Sequence, residues 1–322
     1  MRALWQEVYG EPESVLSVRE VDQPEVPEDG VLLRVAAASV HIGDCHIIRG
    51  LPKSMRPIFG LRRPKKRIPG TDLAGTIESV GADVEGWQPG DEVYLSSTGA
   101  FAEYAVAPAA DLVRRPQGLD LEHASTLCVS AQTALQAVRD HLGVKPGQTV
   151  LVTGASGGVG SFAVQIAKAF GAEVTAVCSG RNAELVRSIG ADHVIDYTSE
   201  DFTRGEARYD RILDNVAAHS MSDTRKVLTE DGLLLSNGAP VSGWFGGLGN
   251  VMRSMVWSVV SKQQARPFVS MYSQPEGLAL SELVEAGKLK PVIDQVYPLE
   301  DGPAAIAHVA AGHSQGKTLI TM

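Results

Sequence analysis

Twelve residues, Thr149 to Gly160 (TVLVTGASGGVG), carry the clearest chemistry in the chain. Glycines at 154, 157, 158 and 160, with Ala155 and Val159 in the same turn, let the backbone bend tightly and come close to a diphosphate. The diphosphate charge would sit at the positive end of the helix expected from Val159 to Phe170. That chemistry is capture of a dinucleotide. The turn needs a strand before it and, after the helix, a second strand within a βαβ unit of about 30 residues. EVTAVC at 173–178 supplies that second strand. A nucleoside-triphosphatase loop is disfavoured, because no Gly-Lys-Ser/Thr follows the glycines.

Sites for NAD place an acidic residue at the end of the second strand, about 20 residues beyond the glycines, to bind the ribose 2′-hydroxyl. Here the strand runs into Cys178-Ser179-Gly180-Arg181. A hydroxyl and a guanidinium can both donate to a 2′-phosphate, so NADP(H) is the expected cofactor. The alternative is that Arg181 merely opens the next helix on a solvated face.

The elements around this turn divide the chain. Short β-rich runs separated by Gly/Pro turns fill the first 120 or so residues, at 14–21, 30–38, 75–81, 91–95 and 102–107. After a helical stretch at 121–142, strands and helices alternate to about residue 265, with near-continuous apolar runs at 193–197, 209–215 and 232–237. The expected fold is α/β: a β-rich domain joined to a doubly wound parallel sheet of about six strands. The closing segment, with helices near 276–286 and 302–311 and strands near 290–297 and 317–322, is expected to return to the first domain.

Composition bounds the function. With 322 residues and 44% hydrophobic content, the chain can fill two cores. A net charge of −9 argues against general nucleic-acid binding, and the basic run RRPKKR at 62–67 reads as a solvated loop. Cys45, Cys128 and Cys178 form no CxxC pair, so neither a disulfide framework nor a four-cysteine metal site is indicated. The opening MRALWQEVYGEP lacks a basic-then-apolar leader, which makes a cytoplasmic enzyme the default expectation. Residues 243–261 (GWFGGLGNVMRSMVWSVVS) are not a membrane span; they are expected to form a pocket lid or a subunit interface, with a lipid contact as the alternative.

The TGxxxGxG spelling at 153–160 also occurs in short-chain dehydrogenases, but no Tyr-x-x-x-Lys pair follows and the glycines lie mid-chain. PGTDLAGTIESVG at 69–81, GWQPGDEVY at 86–94, GAFAEYA at 99–105 and KPGQTVLVTGASGGVG at 145–160 instead resemble the medium-chain dehydrogenase/reductase superfamily. IGADHVIDY at 189–197 and GKTLITM at 316–322 are similar to its zinc-independent quinone oxidoreductase branch. The resemblance covers nearly the whole chain. It implies a GroES-like catalytic domain at 1–122 and 290–322 and a Rossmann cofactor domain at 123–289.

Zinc alcohol dehydrogenases of this superfamily carry a ligand histidine in Gly-His-Glu, which matches Gly70-Thr71-Asp72 here. Thr71 cannot replace it. His41 matches the first ligand cysteine, but no third ligand stands near 128–131, so no catalytic metal is expected. Without a Lewis acid, an acceptor that spreads the developing charge over a conjugated oxygen is favoured over a simple ketone.

The resemblance further implies that the loop SVHIGDCHIIRG at 39–50 lies beside the nicotinamide. His41 is the candidate donor to the substrate oxygen, against the alternative that it bonds cofactor or backbone and leaves protonation to water. Asp44 is the candidate orienting residue, while His46 is expected to face away. The tyrosine donor of related enoyl thioester reductases is absent from Arg49-Gly50-Leu51-Pro52. By the same transfer, Thr133 lies near the nicotinamide, Gly157, Gly158 and Val159 under the diphosphate, and Ser179, Arg181 and Tyr197 around the 2′-phosphate. Lys317 closes the site or merely opens the last strand; Val216 and Gly238 follow strand ends. The expected activity is NADPH-dependent hydride transfer to a quinone or α,β-unsaturated carbonyl, in a homodimer. The alternatives are an alcohol or aldehyde oxidoreductase and a non-catalytic NADPH-binding sensor.

Overall fold

The structure is a computed structural model that describes residues 1–238 and 262–322. Segment 243–261, expected above to be a lid, interface or lipid contact, lies outside the described residues. The chain forms two units: Met1–Gln132 with Tyr272–Gly287 and Pro291–Met322, and Thr133–Met271 with Lys288–Lys290.

A seven-stranded sheet organises the first unit. Ile293–Pro298, Lys317–Thr321, Gly30–Val40, Asp72–Val80, Glu92–Ser96 and Val113–Arg114 lie side by side, and Tyr104–Pro108 pairs with the first half of strand 30–40. The pair 293–298 and 317–321 is parallel, whereas strand 317–321 meets strand 30–40 antiparallel, with Thr318 opposite Val40. Strand 30–40 (GVLLRVAAASV) is buried along most of its length, so its small and branched residues face packing on both sides. Leu33, Leu73, Ile77, Leu95, Phe101, Ile306 and Ile320 form the core beneath it.

The stretch 39–50, read as a loop, is instead the end of that strand followed by helix α1, Ile42–Arg49. Local hydrogen bonds explain it. Gly43 N–H donates to Nδ1 of His41 (3.0 Å), and Asp44 Oδ2 accepts from the His41 N–H (3.0 Å). This reciprocal capping box contributes about 1 kcal/mol to the helix. Gly50, left-handed at φ 64°, ends it by donating back to the carbonyls of His46 and Ile47.

Helix Gln274–Glu285 packs within the first unit. The Tyr94 hydroxyl donates to Gly277 O (2.6 Å), and Gln274 Nε2 donates to Leu112 O (2.9 Å). Residues 293–321 also lie in this unit. The helical stretch 121–142 breaks after Leu121–Ser125, and helix Val129–Leu135 then runs directly into a π-helix, Gln136–His141.

The second unit is a parallel sheet of six described strands in the order 193–196, 173–178, 149–153, 209–214, 228–236, 264–267. Numbered along the chain, that order is 3-2-1-4-5-6, the doubly wound dinucleotide-binding arrangement. The second strand spans Glu173–Cys178, as the sequence predicts. Helix α2, Gly158–Ala169, follows the glycine turn and buries Phe162, Ala163, Val164, Ile166 and Ala167.

Candidate active site

In the second unit, the strand order reverses between strands 149–153 and 209–214, which opens a crevice at their carboxyl ends. Thr153 Oγ1 donates to Asp214 Oδ1 (2.7 Å) and accepts from Asn215 N–H (2.9 Å), which fastens these ends together. Gly154, Val216 and Gly238 gather there: a Cβ on Gly154 would lie 2.9 Å from Val216, and one on Gly238 would lie 2.6 Å from Asn215 O.

This crevice suits a dinucleotide. Gly154 has φ 61°, and a Cβ on Gly160 would fall 2.1 Å from Gly154 O, so the turn closes on itself without room for a side chain. A Cβ at Gly157, by contrast, would meet only Gly154 O, at 3.3 Å, leaving a cradle outside the turn. No side chain caps the first turn of α2, so its N–H groups are available to a diphosphate. Ala155 is buried and donates to Val177 O (3.1 Å).

Ser179 precedes a short helical turn at Gly180–Asn182, and Arg181 lies within it. Asn182 Nδ2 donates to Ser156 Oγ (2.8 Å), tying this turn to the glycine turn. Tyr197 follows the neighbouring strand, 57% exposed, with its N–H on Cys178 O (3.1 Å). Sequence reasoning missed Asp196. The acid does not end the second strand, but strand pairing sets it opposite Cys178. Its carboxylate accepts from Thr198 N–H (2.9 Å), Thr198 Oγ1 (2.7 Å) and Gly180 N–H, which hold it below the ordinary carboxylate value. Thr133 lies buried in helix 129–135.

The first unit contains a buried polar cluster. His41 caps α1, Thr71 precedes and Asp72 opens strand 72–80, and Lys317 opens the last strand, so the sheet register brings together residues far apart in sequence. His41 Nε2 lies 2.8 Å from Thr71 Oγ1 and 3.5 Å from Asp44 Oδ2. Because Nδ1 accepts from Gly43 N–H, the ring proton resides on Nε2 and points at Thr71, whose hydroxyl donates to Asp72 Oδ1 (3.3 Å). Asp72 Oδ2 accepts from Val129 N–H (3.2 Å) and Ser39 Oγ (3.4 Å) and lies 4.0 Å from Lys317 Nζ.

Lys317, expected either to close the cofactor site or to be solvated, is only 1% exposed. Its Nζ donates to Val40 O and Ser130 Oγ, both at 3.0 Å. His46, expected to face away, is half-buried with Nδ1 unpartnered.

Burial governs the charges here. It pushes His41 down to about 4, so the ring is neutral at neutral pH with both nitrogens engaged inside the protein. It pushes Asp44 up to about 7, and Asp44 Oδ1 is buried without a hydrogen-bond partner, as suits a carboxyl that carries a proton. Burial also raises Asp72 and lowers Lys317 while their opposite charges partly offset it. Among the described residues, no group of three or more His, Cys, Asp or Glu is arranged to hold a metal ion. Lys317 already supplies the cluster with a cation.

Residues 27–117 match the alcohol dehydrogenase GroES-like domain, and residues 189–320 match the zinc-binding dehydrogenase domain. The chain is 32% identical over 336 residues to a chloroplastic quinone-oxidoreductase homolog of Spinacia oleracea, covering 99% of this chain and 98% of that protein. It is 33% identical to the mitochondrial NAD(P)H oxidoreductase RTN4IP1 of Mus musculus, covering 91% and 81%. The solved quinone oxidoreductase from Coxiella burnetii superposes with a TM-score of 0.86 at 26% identity, covering 100% of this chain and 99% of that one. Two domain matches in the expected order and full-length relatives of one kind place the chain: it belongs to the medium-chain dehydrogenase/reductase superfamily, in the quinone-oxidoreductase-like branch.

Proposed function

We propose that this protein is an NADPH-dependent reductase of quinones or α,β-unsaturated carbonyls that works without catalytic zinc. The observation that carries this reading is the buried cluster: where the superfamily's zinc enzymes have a ligand histidine, Thr71 relays a hydrogen bond from His41 to Asp72. Full-length likeness to named quinone oxidoreductases supports the acceptor class.

When bound, the reduced nicotinamide supplies a hydride, and a quinone that takes it up also needs a proton to become the hydroquinone. At neutral pH His41 is uncharged and its Nε2–H is committed to Thr71, so it serves as a fixed hydrogen-bond donor. Asp44 is the group that holds a transferable proton, 3.5 Å from the same ring nitrogen. The glycine turn and the uncapped start of α2 hold the diphosphate.

For the 2′-phosphate, Ser179, Arg181 and Tyr197 are the proposed donors. Asp196 brings a negative charge to the same strand ends, yet three donors occupy its carboxylate and leave little capacity for a ribose hydroxyl. Arg181→Ala is therefore expected to raise the KM for NADPH by roughly 10- to 100-fold, the range of one charge-assisted hydrogen bond, and to leave the NADH value nearly unchanged. Equal effects on both cofactors would contradict the 2′-phosphate assignment.

The activity is tested by following NADPH oxidation by chelator-treated protein with a soluble benzoquinone, an alkyl enone and a simple ketone. Turnover of the quinone or enone without the ketone is expected. Ketone reduction that disappears on chelation and returns with zinc would overturn the reading. Tight NADPH binding with no turnover of any acceptor would assign a sensing role instead.

A further inference from the structure

The basic run that reads as a solvated loop has a definite build. Residues 53–67 (KSMRPIFGLRRPKKR) contain seven Lys or Arg and no Asp or Glu, in a chain whose net charge is −9. One helical turn, Arg56–Phe59, leads into a loop closed by the Lys65 N–H on Phe59 O (2.8 Å). Two of the seven cations frame it. Arg56 lies over the Tyr9 ring at 4.8 Å and donates to Gly50 O (3.0 Å), while Arg67 donates to the carbonyls of Gln6 and Glu7. The Tyr9 hydroxyl completes the frame by donating to Gly60 O (2.7 Å).

The other five cations, Lys53, Arg62, Arg63, Lys65 and Lys66, are exposed and make no ion pair among the described residues, Lys65 Nζ donating only to Pro57 O (3.4 Å). Elsewhere in the unit Arg2, Arg19, Arg34, Arg49, Arg114 and Arg115 each face a carboxylate. Glu7 and Glu11, on the segment next to this loop, are held by Arg19 and Arg49. Large aliphatic side chains stand among the free cations: Ile58 is 61% and Leu61 68% exposed, and Val8, beside Tyr9, is 56% exposed. Scattered single apolar residues are ordinary on a protein surface; here they stand beside a run of unpaired cations. Free cations surrounding exposed aliphatics match the two layers of an anionic lipid surface, headgroup phosphates outside and acyl chains beneath.

We propose that residues 53–67 dock the protein peripherally on an anionic bilayer, with Lys53, Arg62, Arg63, Lys65 and Lys66 on the headgroups and Ile58 and Leu61 in the interface. The negative charge of the remaining chain turns other faces away from such a surface and orients the protein on this loop. Attachment is reversible and superficial; among the described residues no helix is long and apolar enough to cross a membrane. A single-stranded nucleic acid would call for exposed stacking rings, and the loop's one aromatic residue, Phe59, is half-buried.

The test is co-sedimentation of the full chain with vesicles of phosphatidylcholine alone and with vesicles containing about one-third phosphatidylglycerol. Binding is expected only to the anionic vesicles, and it should weaken as salt rises past about 0.1 M, where screening sets in within about 10 Å. Arg63→Ala with Lys66→Ala should lower the partition coefficient by roughly 25-fold, about fivefold for each cation. Ile58→Ser with Leu61→Ser should also weaken binding and make the remainder more salt-sensitive. Both double variants should keep the wild-type melting temperature and reduce a water-soluble quinone at the wild-type rate, which separates this inference from the proposed activity. Equal binding to both vesicle types, or anionic binding that survives both double variants, would overturn it. Loss with the cation variant but not with the aliphatic variant would leave Ile58 and Leu61 outside the interface and overturn the two-layer docking.

Discussion

Replacing Lys317 by methionine is expected to remove about 3–5 kcal/mol of folding stability, the usual cost of breaking a buried ion pair by deleting one partner. The ammonium holds Val40 O and Ser130 Oγ and faces Asp72 in a site where both side chains are almost fully buried. Methionine fills similar volume, so the loss reports the missing charge and hydrogen bonds rather than a cavity. Without the ammonium, the folded-state pKa of Asp72 rises further above its unfolded value. Stability is then lost as pH rises toward that folded value, and the defect shrinks as pH falls into the ordinary carboxylate range. Adding Asp72→Asn should restore part of the loss, because the amide oxygen still accepts from Val129 N–H without a buried charge. Urea unfolding at several pH values measures all three effects. A loss below about 1 kcal/mol would mean that the pair adds nothing beyond a surface ion pair.

Asp44→Asn should change the pH dependence of stability with opposite signs in two ranges. In the folded protein Asp44 titrates at about 7, against about 3.9 unfolded, so its burial is harmless in acid and costs about 4 kcal/mol above neutrality. His41 behaves inversely. Its folded value of about 4 lies below the unfolded 6.5, so the stability of the neutral ring is present above 6.5 and is lost as pH falls through 4. Lys317, Asp72 and His46 are the other charged or titratable groups acting on this pair. Between roughly pH 4 and 6.5 unfolding only moves one proton, from carboxyl to imidazole, and the wild-type stability is nearly flat. Asparagine leaves the histidine alone, so the variant should weaken by about 3 kcal/mol on acidification over that range. From there to about pH 8 the wild type should weaken while the variant holds steady. Parallel profiles for the two proteins would mean that Asp44 is ionised when folded.

Much of the second unit was legible because its signals are local. Strand 173–178 is a contiguous apolar, β-branched run, and the glycine turn announces both the strand before it and the helix after it. The first unit was legible in its strands and less so in its site. Helix α1 escaped notice because histidine is an unusual cap, although His41 and Asp44 have the spacing of a capping box and Gly50 stands where a helix should end. Lys317 read either as closing the site or as a solvated residue opening the last strand. Its burial follows from the pairing of strand 317–321 with strands on both sides, which no local pattern records. Asp196 was overlooked for a similar reason: it reaches Gly180 across a parallel strand pair, 16 residues along the chain. Helix 274–285 is held in the first unit by Tyr94, nearly 200 residues earlier, a contact that no local pattern records.

The position of strand 317–321 also sets an order of events during synthesis. It lies inside its sheet, between a strand at 293–298 and one at 30–40, so the first unit begins with early residues and is finished only by late ones. The parallel sheet, drawn from 149–267, has all its described strands off the ribosome while the other sheet still lacks two. Until those arrive, strand 30–40 presents an unpaired edge at Ala37–Val40, the stretch leading into His41, and the nascent chain must be kept from pairing that edge with another molecule.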